Sequence, residues 1–210
     1  MFGTKNKFIR VMMRKVVPLI LSVSMVGGNS YVTSQAKVLV PETPYYKYGS
    51  IKVADYDHDG NPETAPRRQL CDQDGNPIQL KGMSTFGLQW DDGSWVLNDR
   101  AFDALAGDWK CDVIRLAMYV TEDGYASDPA TLLQRVEQGI KLATERGMYV
   151  IVDWHILSSG DPCSAAYLNA GVQLEQYAEI KEAHPEYNGP QLFFAYLSNK
   201  YGEQGNIIFE

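Results

Sequence analysis

The chain has 210 residues, 45% of them apolar, enough for one domain with a packed core and too few for two large ones. Its formal charge is −7, unevenly spread: residues 1–36 hold five cations and no acid, and the remainder holds 14 cations against 26 acids. So acidic a body repels phosphate backbones, which argues against nucleic acid as a partner and suits a protein acting on a neutral polymer.

The N-terminus joins Lys5, Lys7, Arg10, Arg14 and Lys15 to an apolar run over residues 16–26, then to small and polar residues ending Ser34-Gln35-Ala36. Charged, apolar and small-residue regions in that order predict a secretory signal peptide over 1–36, cleaved near Ala36, and an extracellular protein. The apolar run is shorter than the about 20 residues a membrane-spanning helix needs, so no membrane partner is expected after cleavage. The three cysteines, Cys71, Cys111 and Cys163, match no zinc spacing. They read first as core or loop thiols and second as one possible bridge with one cysteine over.

Residues 37–68 are rich in Pro, Tyr and acid with no clear period, and read as an extended lead-in. Within it, Asp55, Asp57 and Asp59 alternate ahead of Gly60, as at the start of a calcium loop. The bidentate Glu of such a loop would fall at Pro66, so a solvated acidic turn is the better reading.

From Gln69 short apolar runs alternate with helical patterns. Residues 78–83, 113–118, 148–153 and 206–209 read as buried strands, since apolar and β-branched residues run on with little polar alternation. Between the first two, Phe102, Leu105, Ala106 and Trp109 fall on one helical face. Between the second and third, Asp128 caps a helix, Pro129 opens it, and Gly147 suits the left-handed position after it. Its apolar stripe is Leu133, Val136, Ile140 and Ala143. Residues 191–201, ending at Gly202, predict a further helix, as do residues 174–183.

This strand–helix rhythm means a parallel sheet, either open and doubly wound or a barrel. No glycine-rich phosphate turn follows a strand, which disfavours the dinucleotide-binding form. A (β/α)8 barrel typically takes about 250 residues. Residues 69–210 supply four strands, and so read as the first half of a barrel catalytic domain.

In a barrel, function sits where the strands end. There the chain places Trp90, then Arg115 and Tyr119, then Asp153-Trp154-His155. Aromatic rings stack on the C–H faces of sugars, and Arg and His bond hydroxyls. Trp90 and Trp154 equally suit core packing, and His155 a structural histidine, but Arg115 amid apolar strand residues calls for a partner carboxylate. The three histidines, His58, His155 and His184, lie far apart and form no metal motif; neither metal nor cofactor is expected.

Four motifs, taken together, resemble glycoside hydrolase family 5, in its bacterial endo-β-1,4-glucanase branch. They are Gln79-Leu-Lys-Gly-Met-Ser-Thr-Phe-Gly-Leu-Gln-Trp90, Val113-Ile-Arg-Leu-Ala-Met-Tyr119, Val152-Asp-Trp-His-Ile-Leu157, and Tyr201-Gly202 with Asn206-Ile-Ile-Phe-Glu210. The resemblance covers residues 69–210. It implies a (β/α)8 TIM barrel and retaining hydrolysis of β-1,4-glucan by two carboxylates about 5–5.5 Å apart. By the same resemblance, Trp90 and Tyr119 line the cleft, Arg115 steadies the nucleophile, and His155 bonds sugar hydroxyls near the cleavage point.

Two features depart from the pattern. Phe86 stands where the family usually has His. The Asn-Glu-Pro acid/base motif after the fourth strand, and the nucleophile after the seventh, are both expected C-terminal of Glu210. Glu210 itself matches a strand residue of the motif. No catalytic residue is therefore assigned within these 210. Other β-glycanases of the same fold, such as a mannanase or xyloglucanase, and a non-catalytic glycan-binding protein on a degenerate barrel, remain the alternatives.

Overall fold

The computed structural model describes residues 42–55, 68–157 and 160–210, all within one compact unit. The leader over 1–36, its cleavage position at Ala36, and Asp57 and Asp59 of the acidic turn lie outside these residues.

Part of the lead-in is ordered, contrary to the extended reading. Thr43 caps a short helix, α1 (Pro44–Tyr48), accepting from the Tyr46 amide at 3.4 Å, with Pro44 in the first turn. Strand β1 (Lys52–Asp55) then pairs antiparallel with β2 (Arg68–Cys71). A five-residue helix and a four-residue strand are too short to show a period, so they left no pattern to read.

The second sheet holds the core. Its strands are β3 (Gly82–Ser84), β4 (Val113–Tyr119), β5 (Tyr149–His155) and β6 (Ile207–Phe209). They are parallel and adjacent in chain order. A doubly wound sheet reverses its strand order at a switch point, whereas sequential order is that of a barrel wall.

The first strand is shorter and later than predicted. Ile78 donates to Leu70 of the hairpin, and the Lys81 amide bonds the Asp112 carboxylate at 2.9 Å. The parallel ladder therefore opens only at Gly82. That residue tolerates no side chain, since a Cβ would lie 1.8 Å from the Val113 carbonyl oxygen.

After β3 come α2 (Asp91–Ser94) and α3 (Asp99–Asp103), the latter capped by Asn98. Helix α3 runs straight into a π-helical turn, Ala104–Asp108. Wider turns rotate later residues away from the 3.6-residue stripe. Phe102 is buried as predicted, but Trp109 is 63% exposed.

Helix α4 (Pro129–Glu145) forms as its signals predict. Asp128 accepts from the Thr131 amide at 3.1 Å, and Leu133, Val136, Ile140 and Ala143 are buried. After β5 lies a helical excursion: α5 (Ala165–Leu168), a 3-10 turn at Glu175–Tyr177, then α6 (Ala178–Ala183). Helix α7 (Gly189–Tyr201) starts two residues before the predicted position, because Asn188 and Gln191 form a reciprocal capping box there. Gly202 opens a 3-10 turn after α7, and a left-handed residue follows at Gly205. Cys71, Cys111 and Cys163 are all free thiols.

The lead-in helix seals the end of the sheet where the strands begin. Tyr149, the first residue of β5, donates to the Gly49 carbonyl at 2.6 Å, and the Tyr45 amide donates to Gly147 at 2.9 Å. Gly147 has φ 62°, and a Cβ there would lie 2.3 Å from the Thr43 hydroxyl. Gly147→Ala should therefore lower stability by about 1–2 kcal/mol, the cost of a left-handed non-glycine residue. A denaturant midpoint unchanged by the substitution would show that the turn does not need glycine.

Candidate active site

Alternation along the strands builds the site. Parallel register sets Ala117 beside Asp153 and Tyr119 beside His155. Successive side chains point to opposite faces. The even-numbered residues of β4 and β5 face the helices: a Cβ at Gly139 of α4 would touch Leu116, and Trp154 packs on Tyr125 and Phe193 at 5.2 Å each. Arg115, Tyr119, Asp153 and His155 share the other face.

One carboxylate oxygen organises that face. Asp153 Oδ2 forms an ion pair with Arg115 Nη2 at 2.8 Å and lies 2.8 Å from His155 Nδ1. The Asp153 side chain is 5% exposed, against 26% for Arg115. Arg115 Nε also donates to Glu210 Oε2 at 2.7 Å, and Nη1 to the Ser84 hydroxyl at 3.4 Å. Glu210 follows β6 directly and is half exposed. One guanidinium thus joins side chains from all four parallel strands or their ends.

The charges shift one another. Burial pushes the Asp153 carboxyl up, while Arg115 and His155 pull it back. The hydrogen bond from Arg115 holds Glu210 below the usual carboxylate range. The same bond raises Arg115.

A wall of rings runs away from this cluster. His155 lies 4.1 Å from Tyr119, Tyr119 lies 5.2 Å from Trp90, and Trp90 lies 4.8 Å from Phe86, which is 58% exposed. Gly87 makes room for the wall, since a Cβ there would meet the Trp90 ring at 2.7 Å. Flat rings beside a few convergent polar groups fit a ligand with apolar faces and hydroxyl edges.

The four predicted binding residues, Trp90, Arg115, Tyr119 and His155, therefore converge. Trp154 does not. It is buried among Tyr125, Phe193 and Phe194 on the helix side, because it sits one residue out of phase with His155. Asp153 and Glu210 were not picked out as site residues. The signal for Asp153 was present: an acid inside an otherwise apolar strand requires a buried partner.

Arg115→Met should cost about 3 kcal/mol at pH 7, the low end for breaking a buried pair, since Arg115 is a quarter exposed. The sign of the pH dependence follows from both acids. Without Arg115 the raised Asp153 carboxyl rises further, so its penalty is full at neutral pH and fades as the group protonates. In the unsubstituted protein, Glu210 contributes fully above its ordinary value of about 4.3 and loses that contribution as pH falls through its depressed one. The stability gap between variant and parent should therefore narrow as pH falls from 7, first through the raised Asp153 carboxyl and then, below about 4, through Glu210. A gap in denaturant unfolding that is constant or wider in acid would contradict this.

The description "Cellulase (glycosyl hydrolase family 5)" matches residues 71–210. Endoglucanase E-5 of Thermobifida fusca is 40% identical, covering 80% of this chain and 28% of its own length. Cellulase CelDZ1 of a Thermoanaerobacterium species is 39% identical, covering 93% of this chain and 43% of its own length. The solved catalytic domain of Thermobifida fusca endoglucanase Cel5A superposes with a TM-score of 0.57 at 40% identity, over 80% of this chain and 43% of that one. A thermostable, halotolerant family 5 cellulase from an Icelandic hot-spring isolate gives 0.60 at 41%, over 79% and 40%. The chain thus spans less than half the length of each of these relatives. Its four strands are a partial (β/α)8 barrel, and the chain belongs to glycoside hydrolase family 5.

Proposed function

We propose that the full-length protein is a secreted endo-β-1,4-glucanase that cleaves cellulose-type chains with retention of configuration. The observation that carries this reading is the ring wall of Phe86, Trp90, Tyr119 and His155, continuous with the Arg115 cluster. Glucan chains offer flat C–H faces to such rings and equatorial hydroxyls to Arg115 and His155. Relatives named endoglucanase support the substrate class, and a variant of the Thermobifida fusca Cel5A domain was solved in complex with cellotetraose.

The residues described position sugar and do not cleave it. A retaining glycosidase needs one carboxyl that carries a proton and one carboxylate free to attack the anomeric carbon. Glu210 is kept ionised by Arg115, so it is a poor proton donor. Asp153 is buried and engaged by both Arg115 and His155, so it cannot reach an anomeric carbon. In this reading the acid/base and the nucleophile come from residues C-terminal of Glu210, and Arg115 steadies the nucleophile's carboxylate. Phe86 adds a ring to the wall where the family pattern has a hydrogen-bond donor, giving stacking in place of one polar contact.

The leader pattern over residues 1–36 supports export, with maturation near Ala36. Expression of the full-length gene should put activity into the medium, on a protein whose mass begins near residue 37. That protein should release reducing sugar from carboxymethylcellulose, with the β-anomer first in NMR of the nascent products. Release from mannan or xyloglucan alone would move the substrate to another β-glycan. An α-anomer formed first would overturn retention, and secreted protein beginning at Met1 would overturn cleavage.

A further inference from the structure

Asp153 is nearly buried, yet Arg115 and His155 both meet one of its oxygens. We propose that Asp153 is a positioning residue that fixes His155 as the Nδ1–H tautomer. His155 then presents Nε2 to the cleft as the atom that receives a sugar hydroxyl. This deepens the β-glucanase reading and rests on it for the identity of the sugar.

The donor and acceptor inventory decides the tautomer. A carboxylate only accepts, and a guanidinium only donates. His155 Nδ1 lies 2.8 Å from Asp153 Oδ2 and 3.4 Å from Arg115 Nη2. A bare Nδ1 would set its lone pair against the carboxylate at the shorter distance and gain only the longer contact with Arg115. A proton on Nδ1 satisfies the short contact. Nε2 of the neutral ring is then an acceptor.

Two neighbours hold the ring in that pose. Tyr119 lies 4.1 Å from it, tilted 42°, which restricts rotation of the imidazole. Arg115 occupies the other side of Asp153 Oδ2 and is itself anchored by Glu210. The oxygen therefore sets the distance between the guanidinium and the imidazole, as well as the imidazole's hydrogen. Arg115 approaches from β4, His155 and Asp153 lie on β5, and Glu210 follows β6. A group shared in this way fixes three strands to one another at the cleft floor.

The test is long-range proton–nitrogen NMR on full-length protein carrying labelled histidine, with His155→Gln assigning the signal. In the unsubstituted protein, His155 should show a protonated Nδ1 and a bare Nε2. An Nε2–H tautomer there would overturn the proposal without any variant at Asp153. In Asp153→Ala, His155 should move toward Nε2–H, and kcat/KM on cello-oligosaccharides should fall about 10²-fold, as for a displaced binding group. A thermal unfolding midpoint shows whether that variant is folded; where it is not, the spectrum of the unsubstituted protein decides. An unchanged tautomer and unchanged kcat/KM in folded Asp153→Ala would also overturn the proposal. A protein with no activity on any β-glucan would refute the substrate reading, while the tautomer would still report on Asp153.

Discussion

A carboxylate on the inner face of a buried strand cannot stand alone, and Asp153 ties the rest of the site to that constraint. Leaving it unpaired in the sheet would cost several kcal/mol. Its partner, Arg115, must therefore lie on the same face of the neighbouring strand. Parallel register, with Ala117 beside Asp153, sets that distance. A slip by one residue would send Arg115 toward the helices and Leu116 toward the cleft. The ion pair thus selects the register as much as the register makes the ion pair.

The two ends of the sheet divide the work between them. Where the strands begin, contacts are structural: Tyr149 bonds the Gly49 carbonyl, Gly147 turns beside Thr43, and Asn206 bonds the Met148 carbonyl at 2.9 Å. Where the strands end, the loop after β3 carries Phe86 and Trp90, and β4 and β5 close with Tyr119 and His155. Between them, apolar side chains on the helix face join β4 and β5 to α4 and α7. Helices α4 and α7 are also locked directly, since Glu137 accepts from the hydroxyls of Tyr196 and Tyr201 at 3.0 Å each. Burial beside that carboxylate raises Tyr201 to about 12. A rigid frame of this kind lets Arg115, Tyr119 and His155 be placed by strands, with only Phe86 and Trp90 left to a loop.

The sequence was readable where a pattern ran long. Seventeen residues of α4 carry a cap, a stripe and a terminating glycine, and all three behave as their chemistry demands. Short elements were read unevenly: the three-residue β6 falls within the predicted 206–209, but β3 also spans three residues, and whether Ile78 joins it or the hairpin depends on Leu70, which no local pattern reveals. The π-helical turn that turns Trp109 outward has no signature in residue type. At the site, Trp90, Arg115, Tyr119 and His155 were legible because strand ends collect function. For Trp154, which equally suited the core, the two-residue alternation decides: it sets the ring on the face opposite His155, in the core. The pairing of Arg115 with Asp153 and Glu210 is a long-range fact. Its local signs were a charged residue inside each of two apolar strands, Arg115 in β4 and Asp153 in β5; which partner each takes was not local.

The central claim is that this face binds a β-glucan chain through the ring wall and the Arg115 cluster. A crystal structure of the full-length protein with cellotetraose tests it most directly. The account predicts a glucosyl ring stacked on Trp90 or Tyr119, with sugar hydroxyls within hydrogen-bond reach of Arg115 and His155 Nε2. Cellotetraose bound elsewhere on the barrel, with these four side chains untouched, would contradict it.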